Sequence, residues 1–411
     1  MRGETRVESW TDSLPRCSLS GIGFVQNATY GTGVSTHSHE FQHEILNLDQ
    51  NNVRLFGIFC TYNNDPRAAK YVANRMVYEI YTENPIMPGT APEEIQIQLK
   101  NKFQTVVKAY VNDIYELLNN RLLQQEQATE ESRIAVETMN DELRAGATIL
   151  VVILVDDHLY VINCGNSRAL VFRSFDREMA AQQLNCEHDI DNPDELDRIE
   201  QLGIDPALID PPTRSVGDCF RGICYTETEI LSKANGPPVI SDADVYAYKI
   251  EDDFSHVLLC SASVVKVISE IGVHPDEVNR FLEDAMMKEQ GTRVTSMAQA
   301  LLDLTTRQHR ECYVSGEARG AYNSHDDLSL VLASIKMELE RTRFTMDITN
   351  SLSLEDESLN EPEGDGPFSP YADLHGFTNH PSRQAIINQL TEVFGYNLLE
   401  PPKADSIEEE Q

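Results

Sequence analysis

The longest unbroken apolar run in the chain is Ile149–Val155, Ile-Leu-Val-Val-Ile-Leu-Val. It is far short of the ~20 apolar residues that cross a bilayer as a helix. β-Branched Ile and Val dominate it, so it predicts a strand buried on both faces. Asp156-Asp157-His158 reads as a short polar turn and Leu159–Asn163 as a second apolar strand, which makes a central hairpin. Cys164-Gly165-Asn166-Ser167-Arg168-Ala169 then interrupts the pattern before Leu170-Val171-Phe172 resumes it. A polar knot between buried strands is where a site is expected.

The rest of the chain supplies shorter strands and longer helices. Val53–Cys60 reads as a strand, followed by the turn Thr61-Tyr62-Asn63-Asn64 and a helix start at Asp65-Pro66. Ala69, Val72, Ala73, Met76 and Ile80 continue that helix. Pro92 opens a long helix whose stripe, from Leu99 and Phe103 through Val111 to Leu122, is expected to be core. Residues 124–143 are polar and read equally as helix extension or loop. Asp191–Leu202 predicts a helix closed by Gly203. His256–Cys260 predicts a buried strand that leads through Ser261-Ala262-Ser263 into a helix over 264–270. Further helices fit 276–287 and 297–309, and Leu328–Ile335 is the last core strand. Short strands with helices arriving in pairs predict an α+β layered sandwich rather than an alternating parallel sheet.

Charge narrows the function classes. The net charge is −34 over 411 residues, which repels phosphate backbones and anionic headgroups, so neither nucleic acid nor membrane is an expected partner. The N-terminal Met1-Arg2-Gly3-Glu4-Thr5-Arg6 lacks the apolar core of a signal peptide. The eight cysteines form no Cys-x-x-Cys pair; Cys164, Cys186 and Cys260 read as reduced core thiols, and the expected location is cytoplasmic. The sequon Asn27-Ala28-Thr29 then carries no meaning. His39-Glu40-Phe41-Gln42-His43 matches the H-E-x-x-H of zinc proteases, but it follows a Gly- and Ser-rich turn with no apolar stripe. The expectation is a solvated loop.

Motifs spread along residues 10–336 are more specific because they occur together and in one order. Phe56–Asn64 stands where a strand would end in Asp-Gly-His-Gly-Gly. Ala145-Gly146-Ala147-Thr148 and Asn163-Cys164-Gly165-Asn166-Ser167-Arg168-Ala169 match Ser-Gly-(Ser/Thr)-Thr and Asn-x-Gly-Asp-Ser-Arg-Ala. Glu187-His188 fits Asp-His, and Thr213–Asp218 fits Ser-Arg-x-x-Gly-Asp. Val257–Ser263 stands for a strand ending Ala-x-Asp-Gly, and His325-Asp326-Asp327-Leu328-Ser329 for Arg-Asp-Asn-x-(Ser/Thr). The domain thereby resembles the metal-dependent serine/threonine phosphatases of the PP2C type. That resemblance implies an α/β/β/α sandwich of two antiparallel sheets flanked by helices. It also implies two divalent cations held by carboxylates, which would make a hydroxide that attacks a phosphate monoester.

The carboxylates are largely absent here. The family's first Asp-Gly is Cys60-Thr61, its Asp of Gly-Asp-Ser-Arg is Asn166, its third-strand Asp is Ala262, and only Asp326 remains. The set Cys60, Thr61, Asn166, Ala262 and Asp326 is therefore expected to be a degenerate metal site, with no cofactor and no catalysis. A residual metal-dependent phosphatase is the alternative.

This pattern of loss is similar to one branch of the family, the pseudophosphatase activator subunits of the TGF-β-activated kinase, a MAP kinase kinase kinase. The opening Ser9–Gly23 fits that branch. The resemblance also implies a Pro-Tyr-x-Asp-x-x-x-Phe segment that docks on the kinase domain and promotes its autophosphorylation, and a stress-activated MAP kinase as a further partner. Pro370-Tyr371-Ala372-Asp373-Leu374-His375-Gly376-Phe377 has this spacing, so Pro370, Tyr371, Asp373, Leu374 and Phe377 are the expected kinase contacts. Composition agrees with a separate element. Residues 1–9 read as a flexible N-terminus, 337–366 as an acidic disordered linker, 367–400 as the docking segment and 401–411 as an acidic tail. Within the segment, Ser382 reads as the N-cap of a helix with Ile386, Ile387, Leu390, Val393 and Phe394 on one face. Such a helix would bind a partner or cap its own domain.

Overall fold

The computed structural model of the chain describes residues 17–335 except 18, 31–42, 51, 63–64, 128, 176–177, 289–292 and 316–323. All of these lie in one compact unit, Arg16–Glu357. The unit is organised on β5 (Gly146–Val155) and β6 (His158–Cys164), paired antiparallel across Asp156-Asp157. Asp156 takes φ 52°, the left-handed conformation that a two-residue hairpin turn asks for. Every residue of β5 is buried. Side chains alternate across a strand, so Leu150, Val152 and Leu154 enter one core while Ile149, Val151 and Ile153 enter the layer behind it.

That hairpin is the centre of a sheet ordered β10-β6-β5-β4-β3, with β3 (His43–Gln50), β4 (Val53–Tyr62) and β10 (Asp244–Lys249); β9 (Val216–Gly217) pairs with the start of β5. A second sheet, β1-β13-β11-β7-β8, faces it. It is built from β1 (Ser20–Val25), β7 (Arg168–Phe175), β8 (Glu178–Gln183), β11 (Phe254–Cys260) and β13 (Leu328–Ser334). Its neighbouring pairs are antiparallel. Phe56, Ile58, Leu150, Val152, Val171, Leu259 and Val331 fill the space between the sheets. At ~1.5–3 kcal/mol for each large side chain buried, this layer is a main source of stability.

Helices cover both outer faces. α1 (Arg67–Tyr81) and α2 (Pro92–Gln127) lie on the first sheet, with α3 (Glu130–Leu143) packed on α2. α5 (Ala262–Glu270), α6 (Val278–Lys288) and α7 (Val294–Ser315) lie on the second. The approach of α7 to β1 is close: a Cβ on Gly21 would sit 2.2 Å from the Val294 carbonyl oxygen, so glycine is required there. α4 (Pro193–Gln201), capped by the Asn192 side chain on Asp194 N–H, belongs to a satellite cluster of Ile199, Ile204, Ile209 and Leu231. A short β2 (Ala28–Thr29) pairs with β12 (Ser324–His325). The observed architecture is the expected α/β/β/α sandwich.

Four expectations change. Residues 124–143 contain the end of α2 and a separate helix α3, started by a capping box between Thr129 and Ser132. Cys186 is exposed rather than a core thiol, while Cys164 and Cys260 are buried as expected. The apolar stripe of α2 is only partly core: Leu99, Phe103, Val106 and Tyr110 are buried and Ile114, Leu117 and Leu118 half-buried, whereas Val111 and Leu122 are exposed. Finally, β3, β8 and β10 are polar enough to have escaped a reading based on apolar runs.

Candidate functional site

The site is a cavity of about 470 Å³ where β2, β3, β4, the β6–β7 turn, the start of α5 and the β12–β13 junction converge. Cys60, Thr61, Asn166, Ala262 and Asp326 all line it, so residues spread over 267 positions of sequence come together. Each arrives at the end of a strand. Cys60 and Thr61 end β4, Asn166 sits in the turn after β6, Ala262 opens α5 directly after β11, and Asp326 precedes β13.

The geometry around the Asn166 turn is held from behind. Gly165 has φ 144°, and a Cβ there would stand 2.4 Å from Thr148 Cβ. The Gly165 N–H donates to His188 Nδ1 (3.1 Å), which leaves Nε2–H to donate to Asp244 Oδ2 (3.0 Å). This fixes the His188 tautomer from its two partners. Asp244 also accepts from Arg214 (3.2 Å), and Arg214 in turn donates to Glu195 (2.6 Å). The His188 hydrogen bond, with Arg214 and Lys100 nearby, holds the Asp244 carboxyl at about 2. Burial alone would raise Glu195, but hydrogen bonds from Arg214, Thr213 and Arg198 win and hold it at about 2. Arg168, on the far side of the turn, donates through Nε to Glu187 (2.5 Å) and through Nη1 to Asn279 (2.9 Å). Asn163 Nδ2 donates to the Gly165 and Cys186 carbonyls.

The cavity itself offers different chemistry. The Cys60 thiol is pushed up to about 12 by burial, and its Sγ lies 3.7 Å from Ser167 Oγ. Asp326 stands at the rim with its side chain 74% exposed and Lys266 Nζ 3.4 Å away. Asp327 is buried and its Oδ1 accepts from the Asn27 N–H (2.7 Å) and Asn27 Nδ2 (3.1 Å). His43 Nδ1 lies 2.7 Å from Ser329 Oγ, and burial lowers its pKa to about 4, so the ring is neutral. His325 is pushed down for the same reason. Hard divalent cations take oxygen ligands, mainly carboxylates. This donor set is instead a thiol, a carboxamide, a methyl, one rim carboxylate beside a lysine and one carboxylate already bonded to Asn27. Among the described residues no cluster of three or more His, Cys, Asp or Glu side chains could hold a metal.

Several lining residues lie outside the site expected from sequence: Asn27, His43, Thr148, Ser263, His325 and Asp327. His43 corrects the expectation for the H-E-x-x-H match. It begins β3 and is buried, so it is neither in a solvated loop nor on a helix, and a strand does not place residues i and i+4 as a zincin helix does. His39 and Glu40 lie outside the described residues, as do Trp10, Pro370, Tyr371, Asp373, Leu374, Phe377 and the helix expected from Ser382. Within Gly23–Thr29, Asn27 faces the cavity.

A two-sheet sandwich flanked by helices, with a cavity at strand ends carrying these motifs, defines a phosphatase-type domain. The profile of the family described as "Protein phosphatase 2C" matches residues 91–309, and the chain belongs to the protein phosphatase 2C family. It is 34% identical over 376 residues to "TGF-beta-activated kinase 1 and MAP3K7-binding protein 1" of Caenorhabditis elegans, a match covering 90% of this chain and 95% of that one. Among solved structures, the serine-threonine phosphatase 2C from Toxoplasma gondii superposes with a TM-score of 0.51 at 14% identity, covering 79% of this chain and 98% of that one. The last similarity concerns the fold alone.

Proposed function

We propose that the chain is a non-catalytic phosphatase-fold adaptor that binds a MAP kinase kinase kinase and promotes its autophosphorylation. The observation that carries this reading is the likeness, along almost its whole length, to a C. elegans protein whose name describes binding to such a kinase. The cavity supports the non-catalytic half. Its donors do not fit a pair of divalent cations, because no two carboxylates stand free to bridge them, so no hydrolytic step is derived through metals here.

On this reading the phosphatase fold is a scaffold, and kinase contact is made by residues 367–400 beyond an acidic linker at 337–366. Tyr371 and Phe377 would be the anchors, since aromatic residues usually dominate small interfaces. Pro370, Asp373 and Leu374 would complete the motif. Activation would follow from tighter binding to the active kinase conformation than to the inactive one. A cytoplasmic location and a stress-activated MAP kinase as second partner belong to the same reading.

Co-purification of the kinase domain with the full chain, with a 367–400 deletion and with Phe377→Ala tests it. Deletion is expected to abolish both binding and the rise in kinase autophosphorylation, and Phe377→Ala to weaken binding by roughly 30-fold, as for a hot-spot residue. Untouched binding and activation would sink the docking assignment. Separately, Mn²⁺-dependent hydrolysis of a phosphate monoester, lost in Asp326→Ala, would establish the residual phosphatase instead.

A further inference from the structure

Of the eight cysteines, Cys219 and Cys224 are the two nearest in sequence, and the chain between them folds back on itself. The Cys224 N–H donates to the Cys219 carbonyl oxygen at 2.7 Å. With standard bond lengths and a trigonal carbonyl carbon on either side of this contact, the two Cα atoms lie within about 6.6 Å of each other. Disulfides bridge Cα atoms about 4.4–6.8 Å apart. The turn is also pinned from outside. The Arg221 and Gly222 N–H groups donate to the Asp218 carbonyl (3.1 and 3.0 Å), and the Cys219 N–H donates to the Leu143 carbonyl at the end of α3 (2.9 Å). Val239 N–H donates to the Arg221 carbonyl (3.1 Å), and Thr228 Oγ1 to the Phe220 carbonyl (3.1 Å).

The side chains share one environment. Arg121 is buried and lies within electrostatic reach of both thiols. Its guanidinium stands 5.2 Å from the centre of the Phe220 ring and pairs with Glu227 (2.5 Å). Burial and the neighbouring Cys224 push the Cys219 thiol up to about 12. Burial and Glu227 push Cys224 up as well, and Arg121 opposes both shifts. Cys219 is buried and Cys224 half-buried, so Cys224 is the one that a dissolved oxidant reaches first.

We propose that Cys219 and Cys224 are an oxidation-sensitive dithiol that a hydroperoxide converts into an intrachain disulfide. First the Cys224 thiolate attacks the peroxide: an S–O bond forms, the O–O bond breaks, and Cys224 becomes a sulfenic acid. Then the Cys219 sulfur attacks the Cys224 sulfur. The S–S bond forms, the S–O bond breaks, and the hydroxyl leaves with the Cys219 proton as water. With hydrogen peroxide, two thiols and one peroxide give one disulfide and two waters. The bond would fasten the single helical turn Tyr225–Glu227, which carries the partner of Arg121, to the end of β9 and so to α3. This inference does not depend on the kinase-adaptor reading.

The test treats the full-length chain with hydrogen peroxide, blocks the remaining thiols with N-ethylmaleimide and digests with trypsin. Cleavage after Arg214, Arg221 and Lys233 puts the two cysteines on separate peptides, 215–221 and 222–233. Mass spectrometry is expected to find them joined at their summed mass less two hydrogens, and dithiothreitol should release them. Formation should quicken about tenfold from pH 7 to pH 8, as the Cys224 thiolate fraction rises. Cys224→Ser should abolish the joined species, whereas Cys186→Ser, which removes an exposed thiol elsewhere, should leave it intact. Recovery of the two peptides only as free thiols, or only as separate sulfinic acids, overturns the proposal. So does a link from either of them to Cys186. A joined species that forms only after unfolding in urea overturns it too, because the native turn would then not be what pairs the thiols.

Discussion

The two sides of the Asn166 turn have been treated differently. Behind it, Asn163, Gly165 and His188 keep a connected set of hydrogen bonds that reaches Glu195 through Asp244 and Arg214, and Arg168 is held separately by Glu187 and Asn279. In front of it, Cys60, Asn166 and Ala262 face the cavity with no charge, and Asp326 is exposed beside Lys266. Buried polar groups carry a large penalty when one partner is removed, so the rear network resists change. Groups that line the open cavity have fewer such partners to lose. The fold therefore depends less on the groups at the front of the cavity than on those behind the turn.

The largest effect expected from breaking the rear side is that of Arg168→Ala, which leaves Glu187 Oε1 and Asn279 Oδ1 without their arginine donor. A loss of about 3 kcal/mol in denaturant unfolding, the low end for a buried ion pair because Glu187 is only half-buried, is expected; a loss below ~1 kcal/mol would mean that Arg168 does not support the turn. The pH dependence comes next. Glu195 is held at about 2 against an ordinary value of 4.5, so its contribution is fully present above pH 4.5 and is lost as pH falls toward 2. At 1.36 kcal/mol per pH unit this amounts to about 3 kcal/mol. Glu195→Gln should flatten that part of the acid limb, measured as unfolding free energy against pH.

Rebuilding the front side sharpens the same comparison. A Cys60→Asp/Asn166→Asp/Ala262→Asp variant introduces hard ligands into a cavity of about 470 Å³. Millimolar Mn²⁺ should stabilise it by about 2–3 kcal/mol when the ion is ~100-fold above Kd, read as a rise in Tm that the parent lacks. An equal rise in the parent would mean that its present donors already hold the ion. Gly165→Ala should cost about 2 kcal/mol, because its Cβ meets Thr148 at a backbone angle that L residues rarely adopt. Asn166→Ala, facing the cavity, should stay within about 0.5 kcal/mol of the parent.

Where sequence reasoning succeeded and failed follows from the length scale of each signal. The β5–β6 hairpin was legible because a run of apolar, β-branched residues has few homes other than a doubly covered strand. α1, α4 and α7 were legible through helical periodicity. β8, Glu-Met-Ala-Ala-Gln-Gln, and β10, Asp-Val-Tyr-Ala-Tyr-Lys, were not, because both are edge strands whose burial pattern is diluted by solvent. The front of the cavity could be anticipated from motif order, whereas Asn27, His43 and Asp327 could not. Their role depends on the β3 register, which puts His43 opposite Cys60, and on the β2–β12 pairing, which brings residues about 300 positions apart into hydrogen-bond contact.

The chain's sequence by itself determined the layered sandwich, the family motifs and the lack of a carboxylate at Cys60, Asn166 and Ala262, because residue identity and spacing are local properties. Only the tertiary structure decided that Asp326 is an exposed rim residue beside Lys266, while Asp327 is buried against Asn27. Two adjacent aspartates in sequence have opposite surroundings because successive residues of an extended chain point to opposite sides. It also decided which residues of the α2 stripe are core: Leu99, Phe103, Val106 and Tyr110 are buried, whereas Val111 and Leu122 are exposed. Periodicity tells which face of a helix is apolar; where the sheet beneath it ends is set by the packing of other elements.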